Sequence, residues 1–459
     1  MKIKTLIKNL PPITVKGSKE TAITGISSDS ATVSPGNLFI AKGAGVRSIP
    51  QALSAGAAAI LTDIYDPFLD LPQLIYPNIG EVEAKLAARY YGRPAEELFV
   101  VGVTGTKGKT TVAHLIQHLL EGLGTPSGLI GTIERVIGDN RRPSTLTTHD
   151  VVSNQRWLKE MVQKGCKAAV IEVSSHGLAQ GRVDEIGFDL GIFTNLHSDH
   201  LDYHGTMEEY AAAKRRLFER AERSILNADS PWAERMGKGI TFGIDKGDVR
   251  AEEIEFRGSE TRFKVDGHPF TSPLIGRFNV YNALAAIAVG LEKGATLERL
   301  AEILSQFEAV PARLERIGNA FIDFAHTGEA LENVLQTLKE IAKGRVIVVF
   351  GCGGNRDPQR RIGMGRAANQ WADVSIITND NPRKEDPEEI ARQIVAVFEK
   401  KPWVELDRRR AIEMALRMAG KDDIVLIAGK GHEKVQIFAD RTIPFDDIAI
   451  VKEILHAIE

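Results

Sequence analysis

The apolar run Leu98, Phe99, Val100 and Val101 leads directly into G-V-T-G-T-K-G-K-T-T, Gly102 to Thr111, and then into the spacing Val112, Leu115, Ile116, Leu119, Leu120 and Leu123. Apolar residues three and four apart predict a helix with one buried face, so the segment reads as strand, glycine-rich turn and helix. Repeated along a chain, that order is the pattern of a parallel sheet covered on both faces, an α/β fold. It also defines an anion site. Backbone N–H groups and about half a unit of positive dipole charge face the turn at the helix N-terminus. Lys109 can reach the outer phosphates of a nucleotide, and the Thr110 hydroxyl can ligate Mg²⁺. The general phosphate-loop pattern has glycine where Val103 stands; Gly102 and Gly105 flank it instead.

At 459 residues the chain has room for three domains of about 150 residues each. Residues 1–95 alternate short apolar runs (Asn37 to Ala41, Ala57 to Leu61, Leu74 to Tyr76) with helical stretches, closing on a helix over Glu81 to Tyr91 and the break Gly92-Arg93-Pro94. Residues 96–309 hold the phosphate loop and further apolar strands at Ala168 to Val173 and Leu190 to Asn195. Residues 310–459 begin at Val310-Pro311, after a helix over Leu297 to Phe307, with strands at Arg345 to Phe350, Val374 to Thr378 and Ile424 to Ala428. Strand, loop and helix alternate there too, which predicts a second, Rossmann-like doubly wound sheet with ligands at the carboxyl ends of its strands. Asp386-Pro387-Glu388-Glu389 has the form of an N-cap, a first-turn proline and first-turn acids.

The 58 basic and 61 acidic residues leave a net charge of −3, so no bulk field favours nucleic acid or an anionic membrane, and small-molecule partners are expected. No apolar run has the length of a signal peptide core or a membrane span, which predicts a cytoplasmic protein. Cys166 and Cys352 lack metal-ligand spacing and read as packing residues.

Glu172 closes the strand A-A-V-I-E-V, and a carboxylate at that end of a strand can hold Mg²⁺ directly or through water, or simply cap the strand. The following strand runs into L-H-S-D-H-L-D-Y-H-G, where His197, Asp199, His200, Asp202 and His204 crowd one loop. Such a cluster suits a transition metal such as zinc, serves the magnesium-nucleotide site with one or two members, or is a set of turn residues. Lys214, in Y-A-A-A-K-R-R-L-F, has by itself the look of a solvated helix lysine.

Together G-V-T-G-T-K-G-K-T-T, E-V-S-S-H, T-N-L-H-S-D-H-L-D-Y-H-G and A-A-A-K-R-R-L-F resemble the Mur ligase family, ATP-dependent amide-forming enzymes of peptidoglycan precursor synthesis. R-F-N-V-Y-N (Arg277 to Asn282), V-P-A-R-L-E (Val310 to Glu315), I-D-F-A-H-T (Ile322 to Thr327), F-G-C-G-G-N-R-D (Phe350 to Asp357), D-N-P-R (Asp380 to Arg383) and A-G-K-G-H-E (Ala428 to Glu433) extend the match over nearly the whole chain. The resemblance implies a small N-terminal α/β domain for the UDP-sugar, a central phosphate-loop domain and a C-terminal amino-acid domain. It further implies a monomer that adds meso-diaminopimelate to UDP-N-acetylmuramoyl-L-alanyl-D-glutamate through an acyl phosphate.

By that resemblance Gly105, Thr106, Lys107, Gly108, Lys109, Thr110 and Thr111 would hold the ATP phosphates, Asn279 and Asn282 the adenine, and Arg313, Asp323, His326 and Thr327 the ribose and phosphates. Thr110, Glu172, His200 and Lys214 would place Mg²⁺, with Lys109, Glu172, His200 and Lys214 catalytic and Lys214 carbamylated by CO₂. An ammonium about 4 Å from Mg²⁺ is repelled by about 8 kcal/mol at an effective dielectric of about 20, whereas a carbamate is attracted. Ser30, Thr147, Thr148, Ser174, Gln180 and Arg182 match positions that hold the UDP-sugar dipeptide, and Arg356, Asp380, Asn381, Pro382, Arg383, Gly429 and Glu433 those that hold diaminopimelate. Arg383 carries specificity: its planar fork suits a carboxylate, which diaminopimelate has and lysine lacks at that end.

The chain departs from the family pattern at Asp29-Ser30-Ala31, Gly45 to Ile49, Leu146 to His149 and Asn355, chiefly in UDP-sugar contacts. Addition of L-lysine, folate polyglutamylation, a nucleotide switch without ligation and a zinc hydrolase are the competing readings. Arg383 opposes lysine, the recognisable first domain opposes folate, and Lys214 with D-N-P-R is surplus to a switch.

Overall fold

The computed structural model describes residues 1–257 and 260–458. Its contacts group into two compact units, Met1–Val249 with Ala285–Thr296, and Arg250–Leu284 with Leu297–Glu459. Both are α/β, the class the strand and helix patterns predict.

The first unit contains two sheets. One has the order Thr14–Lys16, Gln73–Ile75, Ala59–Thr62, Asn37–Ile40, Gly25–Ser27, parallel throughout except for the first strand. Asn37–Ile40 and Ala59–Thr62 are buried at every position, which is why they read as unbroken apolar runs rather than alternations. The helix Ile79–Tyr91 covers them with Val82, Leu86 and Ala87, and Val151 and Val152 enter the same core from the helix Val151–Gln163. That helix starts at Asp150, which accepts from Ser28 Oγ at 3.1 Å and fastens the small sheet to the larger one.

The larger sheet runs Ile240–Gly243, Ala221–Asn227, Phe188–Phe193, Phe99–Thr104, Ala168–Glu172, Ser127–Ile130, all parallel, then the antiparallel Glu134–Ile137 and Asn140–Pro143. Val101 lies opposite both Val170 and Leu190, so Phe99–Thr104 is central. The carboxyl ends of three strands, Thr104, Glu172 and Phe193, therefore stand side by side where a ligand of such a sheet binds.

An antiparallel meander of Val249–Arg257, Glu260–Val265 and His268–Ser272 opens the second unit. Its main sheet has the order Glu315–Ile317, Ala320–Asp323, Ile424–Ala428, Val346–Phe350, Val374–Ile377, Trp403–Val404, parallel after the first strand. Val346, Val348 and Phe350 join Leu331, Leu335 and Met364 on one face; Ile347 and Val349 join Ile412, Ala415 and Val451 on the other. Alternate residues of one strand thus feed two cores, as a doubly wound sheet requires. Asp386 accepts from the Glu388 amide and Pro387 opens the helix Pro387–Val395, as the sequence predicts. Cys166 and Cys352 are buried free thiols, and burial pushes Cys352 up to about 12, which makes it inert. Among the described residues no helix is long and apolar enough to cross a membrane.

Candidate active site

The phosphate loop leaves the central strand at Thr104 and enters the helix Lys109–Gly122 through Gly108. Two glycines flanking Val103 have different causes. Gly102 is a strand residue, and a Cβ there would come within 2.8 Å of Phe188 and Leu217, so it serves packing of those side chains on the sheet rather than the loop. Gly105 has φ +152, and a Cβ on it would stand 1.9 Å from Thr194 Oγ1. The neighbouring strand end clamps the loop: the Thr106 amide donates to Asn195 O and the Lys107 amide to Asn195 Oδ1, both at 2.9 Å, while Thr194 Oγ1 donates to Lys107 O at 2.7 Å. Lys109 Nζ folds back to the carbonyls of Gly105 and Thr106 at 2.9 and 3.1 Å.

Glu172 is fully buried at the carboxyl end of its strand. Its Oε2 accepts from Thr110 Oγ1 at 3.0 Å and Thr132 Oγ1 at 2.8 Å, and its Oε1 from the Thr132 amide at 2.8 Å. All these donors are neutral. A buried carboxylate braced by hydroxyls and lacking a positive donor among them suits a cation, and the bond to Thr110 puts that carboxylate beside the phosphate loop. Thr132 is a member of this arrangement that the sequence did not reveal, since no motif surrounds it.

Lys214 comes from the helix Met207–Arg215 and is 1% exposed. Its Nζ donates to Gly105 O at 2.8 Å and lies 4.5 Å from the centre of the Tyr210 ring. Burial, reinforced by the Lys109 charge and opposed by Asp199, holds its pKa well below the ordinary lysine value. The solvated-lysine reading is thereby excluded. Tyr210 OH in turn shares a 3.2 Å hydrogen bond with Thr106 Oγ1, tying helix to loop. His200 sits 6.2 Å from the same ring at φ +55, and burial holds its pKa down to about 4, so it presents a neutral imidazole at physiological pH. The histidine loop does not gather as a zinc site. His204 Nε2 is bonded to Ser175 Oγ at 2.9 Å, and among the described residues no group of three or more His, Cys, Asp or Glu stands together to bind a metal.

Most residues matched to the UDP-sugar dipeptide form one network. Thr148 Oγ1 donates to Glu172 O at 2.9 Å and contacts Ser174 Oγ at 3.1 Å; Arg182 Nη1 donates to Thr148 O at 2.7 Å and its Nη2 to Gln180 Oε1 at 2.7 Å. Thr147 joins through Thr132 Oγ1 at 3.0 Å. Ser30 lies apart, in the short 3-10 turn Ser30–Thr32 that follows the strand Gly25–Ser27, its Oγ donating to Gln51 Oε1 at 2.9 Å.

In the second unit, Arg356, Asp380, Asn381, Arg383, Gly429 and Glu433 line one pocket together with His326. Their loops follow the strands Val346–Phe350, Val374–Ile377 and Ile424–Ala428, at the carboxyl ends. The first two loops are laced together. Arg383 Nη1 donates to Gly354 O and the Gly354 amide to Asn381 O, both at 2.9 Å; Lys384 N donates to Asn355 Oδ1 at 3.2 Å, and the Asn355 amide donates to Glu385. Glu385 is held from beneath by the buried Arg361 at 2.7 Å. Asn355 has φ +53, which asparagine tolerates better than most residues, so its presence follows from the turn. Asp380 is buried, its Oδ1 makes no hydrogen bond, and desolvation raises its pKa against the lowering pull of Lys430 and Arg408. Asn381 is already engaged: its Oδ1 accepts from the Ile437 amide at 2.9 Å and its Nδ2 donates to Glu433 Oε2 at 2.7 Å.

The residues matched to adenine and ribose have local roles in the fold. Asn279 Nδ2 donates to Ile275 O and Asn282 Nδ2 to Asn279 Oδ1, both at 2.9 Å. Asp323 Oδ2 accepts from the Leu314 amide at 2.7 Å, Thr327 caps the helix Gly328–Ile341, His326 Nδ1 meets Phe324 O at 2.7 Å, and Arg313 lies 5.0 Å from the Phe324 ring centre.

Two family models match the chain: the Mur ligase middle domain over residues 103–290, and the Mur ligase glutamate ligase domain over residues 312–431. UDP-N-acetylmuramoyl-L-alanyl-D-glutamate–2,6-diaminopimelate ligase of Chlamydia caviae is 42% identical over 480 residues, covering 99% of both chains. The protein of the same name from Caldanaerobacter subterraneus subsp. tengcongensis is 41% identical over 465 residues, covering 96% of each. A solved structure of a ligase with this name superposes with a TM-score of 0.70 at 31% identity, over 100% of this chain and 99% of that one. With sequence identity of this order over almost the full length, the chain belongs to the Mur ligase family of ATP-dependent ligases.

Proposed function

We propose that the protein joins meso-diaminopimelate to UDP-N-acetylmuramoyl-L-alanyl-D-glutamate in peptidoglycan precursor synthesis, using ATP. The observation that carries the reading is the second-unit pocket, in which the guanidinium of Arg383 and the side chain of Arg356 stand with the acids Asp380 and Glu433. A substrate with a carboxylate and an ammonium group at one end finds partners of both signs there.

The dipeptide carboxylate takes the γ-phosphoryl group of ATP and ADP leaves; the neutral amine of the incoming amino acid then attacks the acyl carbon, gives up a proton, and phosphate leaves as the amide forms. Lys109 and the amides at the N-terminus of its helix offset charge on the transferring group. Thr110, Glu172 and His200 would hold Mg²⁺, which supplies further charge neutralisation when bound. Burial and the nearby Lys109 charge lower the Lys214 pKa, which favours the neutral amine that addition of CO₂ requires, and its carbamate would face the same ion. Thr147, Thr148, Ser174, Gln180 and Arg182 orient the peptide; Ser30 contributes to the UDP-sugar. Asn279, Asn282, Arg313, Asp323, His326 and Thr327 serve adenine, ribose and phosphates, and Pro382 and Gly429 shape the amino-acid loops. On this reading the UDP-sugar, nucleotide and amino-acid roles divide near residues 95 and 309, and the enzyme is a cytoplasmic monomer.

Phosphate release measured with ATP, the UDP-linked dipeptide and a panel of amino acids tests the assignment. Turnover dependent on meso-diaminopimelate, with L-lysine far poorer, is the expected result; equal turnover with lysine overturns the specificity, and no release with any amino acid overturns ligation.

A further inference from the structure

A lysine is buried against the two acidic residues Asp380 and Glu433 of the amino-acid pocket. Lys430 follows the strand Ile424–Ala428, and its side chain is 0% exposed. Its Nζ donates to Asn381 Oδ1 and to Glu433 Oε2, each at 3.1 Å, and stands 3.7 Å from Asp380 Oδ1. An ammonium withdrawn from water is strongly unfavourable unless it is paired and hydrogen-bonded, and here one amide and two carboxylates surround it.

The arrangement has a direction. Lysine has no acceptor, so Asn381 must turn its oxygen to Nζ; the Ile437 amide asks for the same atom, and the Asn381 Nδ2 is left to meet Glu433. Asn381 therefore acts as a strut between Lys430 and Glu433, its oxygen occupied from within. Charge follows the same geometry. One cation against two carboxylates leaves a single negative charge, and Asp380 Oδ1 has no hydrogen-bond donor of its own. That is the complement of one ammonium group.

We propose that Lys430 is the positioning residue of the amino-acid pocket: its buried ammonium gathers Asp380, Asn381 and Glu433 around one point and lets both carboxylates carry charge together, leaving one net negative charge for an ammonium of the incoming amino acid. The inference rests on the amino-acid assignment proposed above. It adds a residue that need not touch the substrate and acts through those that do.

The test is a cycle of Lys430→Met, Glu433→Gln and the double variant in the full-length enzyme, with KM for meso-diaminopimelate, KM for ATP, kcat and thermal midpoint measured for each. Lys430→Met is expected to raise KM for the amino acid at least tenfold while KM for ATP and kcat stay within about threefold. Glu433→Gln leaves Lys430 and Asp380 balanced with no charge for the substrate, and the double variant restores that charge. The double variant is therefore expected to have a KM no higher than Glu433→Gln. A lowered thermal midpoint with an unchanged KM in Lys430→Met makes Lys430 structural only and overturns the proposal. Should Lys430→Met not fold, a double variant with KM tenfold above Glu433→Gln overturns it equally. If the wild type turns over a different amino acid, the substrate assignment falls by itself and the cycle is read with that amino acid.

Discussion

Lys214 and Lys109 converge on a single acceptor: both ammonium groups donate to the Gly105 carbonyl, at 2.8 and 2.9 Å. Burial of Lys214 depresses its pKa, and the like charge of Lys109 on the same oxygen adds to the effect. Loss of the proton relieves both the burial of charge and the repulsion, and addition of CO₂ to the free amine reverses the sign of the charge.

Lys214→Ala is accordingly expected to lose about 100-fold or more in kcat, the scale of removing one preorganised electrostatic group. Small carboxylates such as formate or acetate restore part of it in steady-state assays, and Lys214→Arg shows no such rescue. Full activity in Lys214→Ala would remove the carbamate. With labelled CO₂, a carbamate carbon signal is expected near neutral pH, where exposed lysines, with pKa about 10.4, remain protonated.

Acidification should weaken the amino acid before it weakens ATP. Burial raises Asp380, Lys430 and Arg408 pull it down, and Glu433 and Asp447 add to the rise. As pH falls through that raised value, still above the ordinary carboxylate value of about 4, Asp380 becomes neutral and loses its attraction for an ammonium. KM for the amino acid climbs there, and in Asp380→Asn it is high and flat. A wild-type KM constant down to about pH 4 would count against Asp380. The stability sign is opposite: a folded pKa above the unfolded one means the ionised form costs stability, so Asp380→Asn should melt higher than wild type at pH 7.

Arg383→Ala is expected to raise KM for meso-diaminopimelate at least about 30-fold, since truncating one partner of a hydrogen-bonded charge pair costs about 2–5 kcal/mol. Turnover with L-lysine should change little, because lysine lacks the carboxylate in question. Equal losses with both amino acids would mean that Arg383 shapes the loop without reading the substrate.

Arg408 and Asp447 form a fully buried two-point ion pair, at 2.9 and 2.8 Å, and Arg408 also donates to Ala428 O at 3.0 Å beside the amino-acid loops. Arg408→Met should destabilise the protein by about 3–5 kcal/mol in denaturant unfolding, since it strands Asp447 in the interior. Arg408→Met with Asp447→Leu should recover most of that loss. If the double variant is as unstable as the single one, the cost lies in the Arg408 packing or its bond to Ala428 instead.

Local rules carried much of this structure. The apolar spacing after Gly108 and the Asp386-Pro387 start both describe helices that form there, because each signal is contained within a few residues. The placement of candidate residues was legible wherever motif and strand end coincide, as at Glu172 and Asp380. What stayed hidden depends on partners far along the chain. Nothing around Thr132 marks it as the neighbour of Glu172, 40 residues on, and G-K-G-H-E does not reveal that its lysine is sealed from water by Asn381, 49 residues back. Spacing was also silent on cause: Gly102 looks like a loop glycine and is a packing one, and nothing near Asn381 says that it also braces Glu433.

The lacing between the loops at Gly353 to Asp357 and Asp380 to Glu385 has a bearing on how such enzymes diverge. Because Arg383 and Asn355 each take their placement from the other loop, and Glu385 with Arg361 locks the pair, neither loop is a transferable module. A chimaera carrying one loop from a relative with a different amino acid would inherit the side chain and lose its aim. Preference for the added residue should therefore be inherited through both segments at once, with crossovers between them selected against.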